Sequence, residues 1–276
     1  MAAVPSTKHR VALFATHLSS YLHLPTIRVY LAAVSFLHQA SGHRNPVVNN
    51  PLLKLVIRGI QRKQVQLPPS KPRLPITPKI LRDLMGQLRR DSTIPQHDML
   101  MLQAAMSLAF FGFLRVSEFT TTAGSTSLTK GDVKLDDNHQ CEVFLHRSKT
   151  DQLGKGSIIM VGCSEDECCP VKCMRLYFEA CRAHPSKPLF HFRRGPALTA
   201  RRSRAILYYH LKSLGLNPFH FNTHSFRIGA ATAAAKAGVD SSTVKELGRW
   251  RSAAFHSYVR HDPAHPYAAA LMAKVD

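Results

Sequence analysis

Three residues near the C-terminal end have types and spacings that could do chemistry together. They are His224 and Arg227 in Thr223-His224-Ser225-Phe226-Arg227, and Tyr258 in Phe255-His256-Ser257-Tyr258-Val259-Arg260. An arginine guanidinium offers paired donors that match phosphate oxygens, and it stays charged. A histidine can move a proton or donate a hydrogen bond. A tyrosine oxygen can attack phosphorus. Together they supply what is needed to break a phosphodiester without a metal. Singly, each has a plainer reading: a surface pair for His224 and Arg227, a core aromatic for Tyr258.

The elements that must position them can be read from the flanking residues. Thr223 is suited to cap a helix over about 223–237 that runs into Ala230-Ala231-Thr232-Ala233-Ala234-Ala235. His224 and Arg227, three apart, share one face of its first turn. That turn favours phosphate through its free amides and dipole, and the small apolar face after it implies close packing around the polar pair. Ser252 can cap a last helix, over about 253–260, that carries Tyr258. Trp250, the only tryptophan, sits between two arginines in Gly248-Arg249-Trp250-Arg251. Its indole suits a core, and its N–H could also donate to phosphate.

The charge balance agrees with an anionic partner. Of 276 residues, 37 are Lys or Arg and 17 are Asp or Glu, a net charge of +20 with a pI of about 10.2. Such a field attracts nucleic acid first and an acidic membrane surface second. No apolar run reaches the roughly 18 residues of a membrane span, and the N-terminus lacks the long apolar stretch of a signal peptide. Five of the six cysteines fall between Cys163 and Cys181. Cys168, Cys169 and Cys173 do not form paired C-x-x-C knuckles, so free, partly buried thiols are expected rather than zinc, in a reducing compartment. Pro170 opens a helix with Cys169 at its N-cap and Cys173 and Cys181 within it.

Hydrophobic spacing divides the chain. Val11, Phe14, Leu18 and Leu22, then Ile27, Tyr30, Leu31, Val34 and Leu37, then Leu52, Leu55, Val56 and Ile60 mark three helices in a small domain over 1–66. Arg28, Arg58, Arg62 and Lys63 are among its basic outer residues. Four prolines in Leu67-Pro68-Pro69-Ser70-Lys71-Pro72-Arg73-Leu74-Pro75 remove amide donors, which predicts an extended basic linker over 67–76, carrying Lys71 and Arg73. The larger domain, 77–276, opens with a helix capped by Thr77-Pro78 and a buried helix over 98–111 that ends at Gly112. Arg115 lies at the junction with a short helix opened by Ser117. Strands are expected over 132–135, 142–148 and 157–161, with Thr150-Asp151-Gln152-Leu153-Gly154-Lys155-Gly156 turning the last two into a hairpin. Helices follow over 170–183, 199–214, 223–237, 241–248 and 253–260. The fold class is therefore mainly α with a small antiparallel β-sheet.

These residues resemble the tyrosine recombinase, or phage integrase, family of DNA breaking-and-rejoining enzymes. The resemblance rests on His224-x-x-Arg227 with Tyr258 downstream, on Leu114-Arg115-Val116-Ser117-Glu118, and on a hairpin lysine. Gly248-Arg249-Trp250-Arg251-Ser252 followed by Tyr258 is most similar to recombinases of eukaryotic mobile elements. The likeness in layout covers nearly the whole chain: a helical core-binding domain, a linker and an α+β catalytic domain. The helical domain is short for its counterparts, which leaves room for a preceding segment.

The resemblance implies roles. Arg115 and Arg227 would hold the non-bridging oxygens of the scissile phosphate. Lys149, with Lys155 as runner-up, would protonate the departing 5′ oxygen. His224 would assist proton transfer, and Trp250 would hold the place of the family's histidine or tryptophan. Tyr258 would form a 3′-phosphotyrosyl link, and Glu118 would support the arginine–histidine cluster. The reaction would need no metal and no cofactor. The partner would be double-stranded DNA, contacted also by Arg28, Arg58, Arg62, Lys63, Lys71, Arg73, Arg201 and Arg202, with no membrane and no small-molecule substrate. Dimers and tetramers would form on DNA, and Asp262 to Asp276 would supply a docking helix. A nuclear location would fit the mobile-element likeness. A type IB topoisomerase and a domesticated, non-cleaving DNA-binding protein are the competing readings. One departure stands out: Trp250 to Tyr258 is 258 − 250 = 8 positions, one fewer than in bacterial and phage relatives, about 100° of helical rotation.

Overall fold

The computed structural model describes residues 5–65, 73–121, 128–136, 140–148, 151 and 153–260. The chain divides into two compact units, Met1–Lys71 and Pro72–Asp276. No helix among the described residues is long and apolar enough to cross a membrane.

The smaller unit holds three helices, α1 (Lys8–Leu18), α2 (Leu24–Ala40) and α3 (Pro51–Val65). Val11, Ala15, Leu24, Ile27, Leu31, Leu53 and Ile60 form its core. Each helix buries only a narrow stripe, so Tyr30, Leu37, Leu52 and Leu55, which mark helical spacing in the sequence, stand exposed. Two amide side chains close the joints. Asn50 donates to the Lys8 and Pro46 carbonyls at 2.9 and 3.0 Å and accepts from Leu53 N. Gln64 accepts from Leu24 N and donates to Leu22 O, at 2.8 and 2.9 Å. Arg28, Arg58, Arg62 and Lys63 are all exposed.

The larger unit is built around α5 (Gln96–Phe111), which is buried on nearly every side and packs against α4 (Pro78–Arg90), α7 (Pro170–Ala180) and α9 (His224–Lys236). Its alanines and short polar residues explain how so many neighbours approach at once. Thr77 caps α4 by accepting from Ile80 N, and Cys169 caps α7 by accepting from Lys172 N. Cys181 stands at the C-terminal cap of α7 instead of inside it. The six cysteines form no disulfide. Burial pushes the Cys168 and Cys173 thiols up to about 12 and about 11, which keeps them protonated.

Strands β1 (Val133–Leu135), β2 (Gln140–Leu145) and β3 (Ser157–Gly162) form one antiparallel sheet in that order. Cys141, Val143 and Leu145 on β2 point inward, paired with Val161, Ile159 and Ser157. The second strand ends at Leu145, earlier than the expected 148. Beyond it the chain makes only an isolated bridge between Ser148 and Asp151 among the described residues. The remaining helices are α6 (Val116–Phe119), α8 (Ala200–Ser213) and α10 (Ser241–Leu247), with a 3-10 turn over Ala253–Ser257.

Residues 73–76, read from sequence as the end of a free linker, are laid against the larger unit. Leu74 N donates to His220 O and Ile76 N to Ser225 O, at 2.8 and 2.9 Å. Ile76 is fully buried. Only glycine fits opposite it: a Cβ on Gly229 of α9 would fall 1.8 Å from the Ile76 carbonyl oxygen. This seam fixes the N-terminal turn of α9, where His224 and Arg227 stand.

Candidate active site

The turn after α5 is the first positioning element. Gly112 ends the helix, Phe113 takes the left-handed conformation at φ 49°, and Arg115 becomes the N-cap of α6. The third residue of that helix, Glu118, reaches back. Its Oε2 accepts from Arg115 N at 2.8 Å and its Oε1 from Arg115 Nη1 at 2.7 Å. The Glu118 side chain is only 2 % exposed, and that of Arg115 12 %.

The second is the start of α9, and here the expected cap is replaced. Thr223 is already in helical conformation and makes no side-chain cap bond. Asn222 does this work: its Oδ1 accepts from His224 N at 2.8 Å while its own N donates to Ser225 Oγ at 3.0 Å. His224 is exposed and Arg227, one turn on, is completely buried.

The third is the Gly248-Arg249-Trp250 corner after α10. Trp250 folds back over Gly248, where a Cβ would lie 1.6 Å from the indole Cζ3. The Gly248 carbonyl then accepts from Arg227 Nη2, while Phe113 O accepts from Arg227 Nη1. The Arg227 guanidinium carbon lies 4.2 Å from the Trp250 ring centre and 5.6 Å from that of Tyr258. Its Nε is buried without a hydrogen-bond partner among the described residues. The resemblance implies that this guanidinium holds phosphate, and the small apolar face of α9 implies close packing around it. Arg227 is roofed by the Trp250 and Tyr258 rings.

Arg249 is the residue that sequence reasoning missed. It adopts the left-handed conformation at φ 54°, which turns its side chain inward. Its Nη2 donates to Glu118 Oε2 at 2.8 Å, and its Nη1 to Gly112 O at 3.3 Å. Glu118 therefore bridges Arg115 and Arg249. The flanking Arg251 stays exposed. The sequence shows the two arginines on either side of Trp250, and only the backbone conformation at 249 separates their roles.

Tyr258 follows the 3-10 turn over Ala253–Ser257, where sequence suggests an α-helix continuing to 260. Its ring is half-buried, 5.0 Å from Trp250 and 5.9 Å from His224 between ring centres. Thr232 on α9 pins this segment: its Oγ1 donates to Tyr258 O at 3.3 Å and accepts from Arg260 N at 3.1 Å. The tighter 3-10 winding accommodates the eight-position step and still brings the tyrosine over Arg227.

Lys149, Lys71 and the segment from Asp262 to Asp276 lie outside the described residues. Lys155 is exposed on the hairpin turn, where its backbone N donates to Asp151 Oδ1 at 3.1 Å. Backbone amides, Gly156 first and then Lys155 and Gly154, hold the Asp151 carboxyl below its usual range, and the charge of Arg251 adds to this. The hairpin turn thus lies within electrostatic reach of the corner that carries Trp250. Arg201 and Arg202 are exposed on the first turn of α8, and the Arg202 guanidinium lies 5.1 Å from the Phe192 ring centre. Arg73 is exposed and donates to Phe219 O.

Electrostatically the site is out of balance. Arg115, Arg227 and Arg249 face one carboxylate among the described residues, so 3 − 1 = 2 positive charges have no counter-charge within the cluster. Burial, followed by repulsion from Arg115 and Arg249, pushes Arg227 down to about 9. Burial likewise lowers Arg249, against the pull of Glu118. Such a cluster is stabilised by any anion brought to it.

No protein-family model matches the chain, and none of the curated proteins does. Solved structures do. The Tn1549 transposon integrase in complex with circular intermediate DNA superposes with a TM-score of 0.63 at 17 % identity, over 99 % of this chain and 86 % of that one. The XerH site-specific recombinase bound to palindromic difH substrate gives 0.63 at 14 %, over 98 % and 71 %. A lambda integrase dimer bound to a COC′ core site gives 0.55 at 15 %, over 95 % and 68 %. The chain has the fold of these recombinases: mainly helical, with the small antiparallel sheet of the tyrosine recombinase catalytic domain.

Proposed function

We propose that this protein is a site-specific DNA recombinase or integrase that breaks and rejoins strands through a tyrosine. The observation that carries the reading is the excess of guanidinium charge around Glu118 and the buried Arg227, whose guanidinium carbon lies 5.6 Å from the Tyr258 ring centre. An anionic phosphodiester placed there would neutralise the surplus, and the arginines would stabilise it further as charge grows on the attacked phosphorus. Arg115 and Arg227 hold the non-bridging oxygens, with Glu118, itself held by Arg249, fixing Arg115. Tyr258 Oη attacks phosphorus, the 5′ oxygen leaves, and a 3′-phosphotyrosyl bond forms. His224 assists proton transfer, and Lys149 protonates the leaving oxygen. Attack by a new 5′ hydroxyl reverses these steps and frees the tyrosine. Because Trp250 and Tyr258 both roof Arg227, these rings must shift for a phosphate to reach its guanidinium.

Solved structures of the same fold, those of the Tn1549 integrase, hold DNA, which supports DNA as the partner. Pairing of two duplexes would call for dimers and tetramers on DNA. The mobile-element origin and a nuclear location rest only on the form of Gly248-Arg249-Trp250-Arg251-Ser252 and its distance to Tyr258.

The test is a pool of nicked duplexes of randomised sequence, in which the cleaved fragment diffuses away and traps the covalent step. The wild type is expected to retain DNA through a denaturing wash, and Tyr258→Phe to retain none. Equal retention by the two proteins would sink the reading in favour of a non-cleaving DNA-binding protein.

A further inference from the structure

Three segments of the larger unit converge at a place that shares no residue with the site above. His97 stands in the first turn of α5, Cys181 closes α7, and His191 lies in the connection leading to α8. One ring nitrogen of each histidine and the Cys181 sulfur all lie within 4.8 Å of one another. Cys181 Sγ is 3.9 Å from His191 Nε2. A tetrahedral zinc ion binds thiolate at about 2.3 Å and imidazole nitrogen at about 2.0–2.1 Å, which sets such donors roughly 3.3–3.7 Å apart. Shifts of under about 1 Å per side chain would close this cluster on an ion.

The far side of each ring is already fixed. His97 Nδ1 lies 3.0 Å from Asp98 Oδ1, and His191 Nδ1 lies 3.0 Å from Pro188 O. Carboxylate and carbonyl oxygens can only accept, so each Nδ1 carries the proton and each Nε2 keeps its lone pair for a ligand. Carboxylate or carbonyl acceptors orient metal-binding histidines in this way. Asp98 is itself held, accepting from Arg193 N at 2.7 Å. Cys181 is 2 % exposed. A cavity of about 800 Å³ that includes Glu179 and Arg193 in its wall opens beside the three donors and leaves room for a water or carboxylate at a fourth position.

We propose that His97, Cys181 and His191 bind one zinc-type transition metal ion, which clamps the start of α5 to the end of α7 and to the connection before α8. The mixed thiolate and imidazole donors select zinc over magnesium or calcium. Cys181 ligates as thiolate, so its thiol proton passes to solvent as the Zn–S bond forms.

The whole chain, stripped with chelator, re-equilibrated with zinc and dialysed, is expected to retain one zinc per molecule by elemental analysis. Cobalt(II) in its place should give a thiolate-to-cobalt charge-transfer band and tetrahedral visible absorption. Both signals should be lost in Cys181→Ser and in His191→Gln, and kept in a Cys163→Ser/Cys169→Ser double variant, which removes the thiol pair at the opposite end of α7. Zinc should also raise the melting temperature of the wild type and not that of His191→Gln. Circular dichroism identifies which variants are folded. Overturning results are a wild type that retains no zinc, a cobalt spectrum without the sulfur band, or zinc retained by folded Cys181→Ser or His191→Gln.

Discussion

Glu118 is the residue on which the charge balance of the site turns. It is the only anion described between Arg115 and Arg249, and its attraction, followed by that of Tyr258, opposes the depression of Arg227 by burial and by the other two arginines. Its replacement by glutamine keeps the shape and removes the charge. Breaking a buried pair from one side typically costs about 3–5 kcal/mol, so Glu118→Gln should lower the urea midpoint and abolish covalent DNA trapping. Unchanged stability would mean that the carboxylate is not the keystone of the cluster. Gly248 offers a second residue-scale test. A methyl there would collide with the indole, so Gly248→Ala should push Trp250 off Arg227. Trp250 is the only tryptophan, and the change should appear directly in its emission, together with a severe loss of trapping. An emission spectrum identical to wild type would contradict the packing described.

At the scale of elements, much was legible in the sequence and the misses have physical causes. The spacing of Val11, Phe14 and Leu18 reveals α1 because burial on one face is periodic, and the apolar run of α5 reveals a helix buried all round. Thr77 and Cys169 sit at the caps expected of them. The corner at Arg249 was not legible, since a left-handed residue other than glycine leaves no compositional mark. Nor was the 3-10 turn before Tyr258, where Ala253–Ser257 would suit an α-helix equally well. The convergence of His97, Cys181 and His191 was hidden because His97 lies far upstream of the other two in the chain. Acid tests one of these elements, α10. Asp240 caps it, accepting from Ser242 N and Thr243 N at 2.9 Å each. Bonds from the Ser242 and Thr243 hydroxyls and then from these amides hold its carboxyl well below the usual carboxylate range. A carboxyl lowered on folding contributes stability that is present above its unfolded value, about 3.9, and is lost as pH falls through the folded one. The melting temperature of the wild type should therefore fall below about pH 4 more steeply than that of Asp240→Asn. Parallel pH profiles for the two proteins would argue against the cap.

At the scale of the molecule, the governing quantity is the net charge of +20. Binding to duplex DNA should weaken linearly in log–log form as salt rises, with a slope of about −0.9 per phosphate neutralised. Arg201 and Arg202 are exposed on the first turn of α8. Replacing both with glutamine should make that slope shallower by about 1 for each phosphate left without its arginine, while leaving the melting temperature unchanged. A slope equal to wild type would remove α8 from the DNA-facing surface. The central claim, that Tyr258 supplies the oxygen of a covalent bond to DNA, is tested most directly by identifying the bonded residue. Protein trapped on nicked duplexes would be digested with trypsin and nuclease, and the nucleotide-bearing peptide sequenced by mass spectrometry. The expected result is a 3′-phosphonucleotide on Tyr258. A nucleotide on any other residue, or no adduct from protein shown to bind the same DNA, would contradict the account.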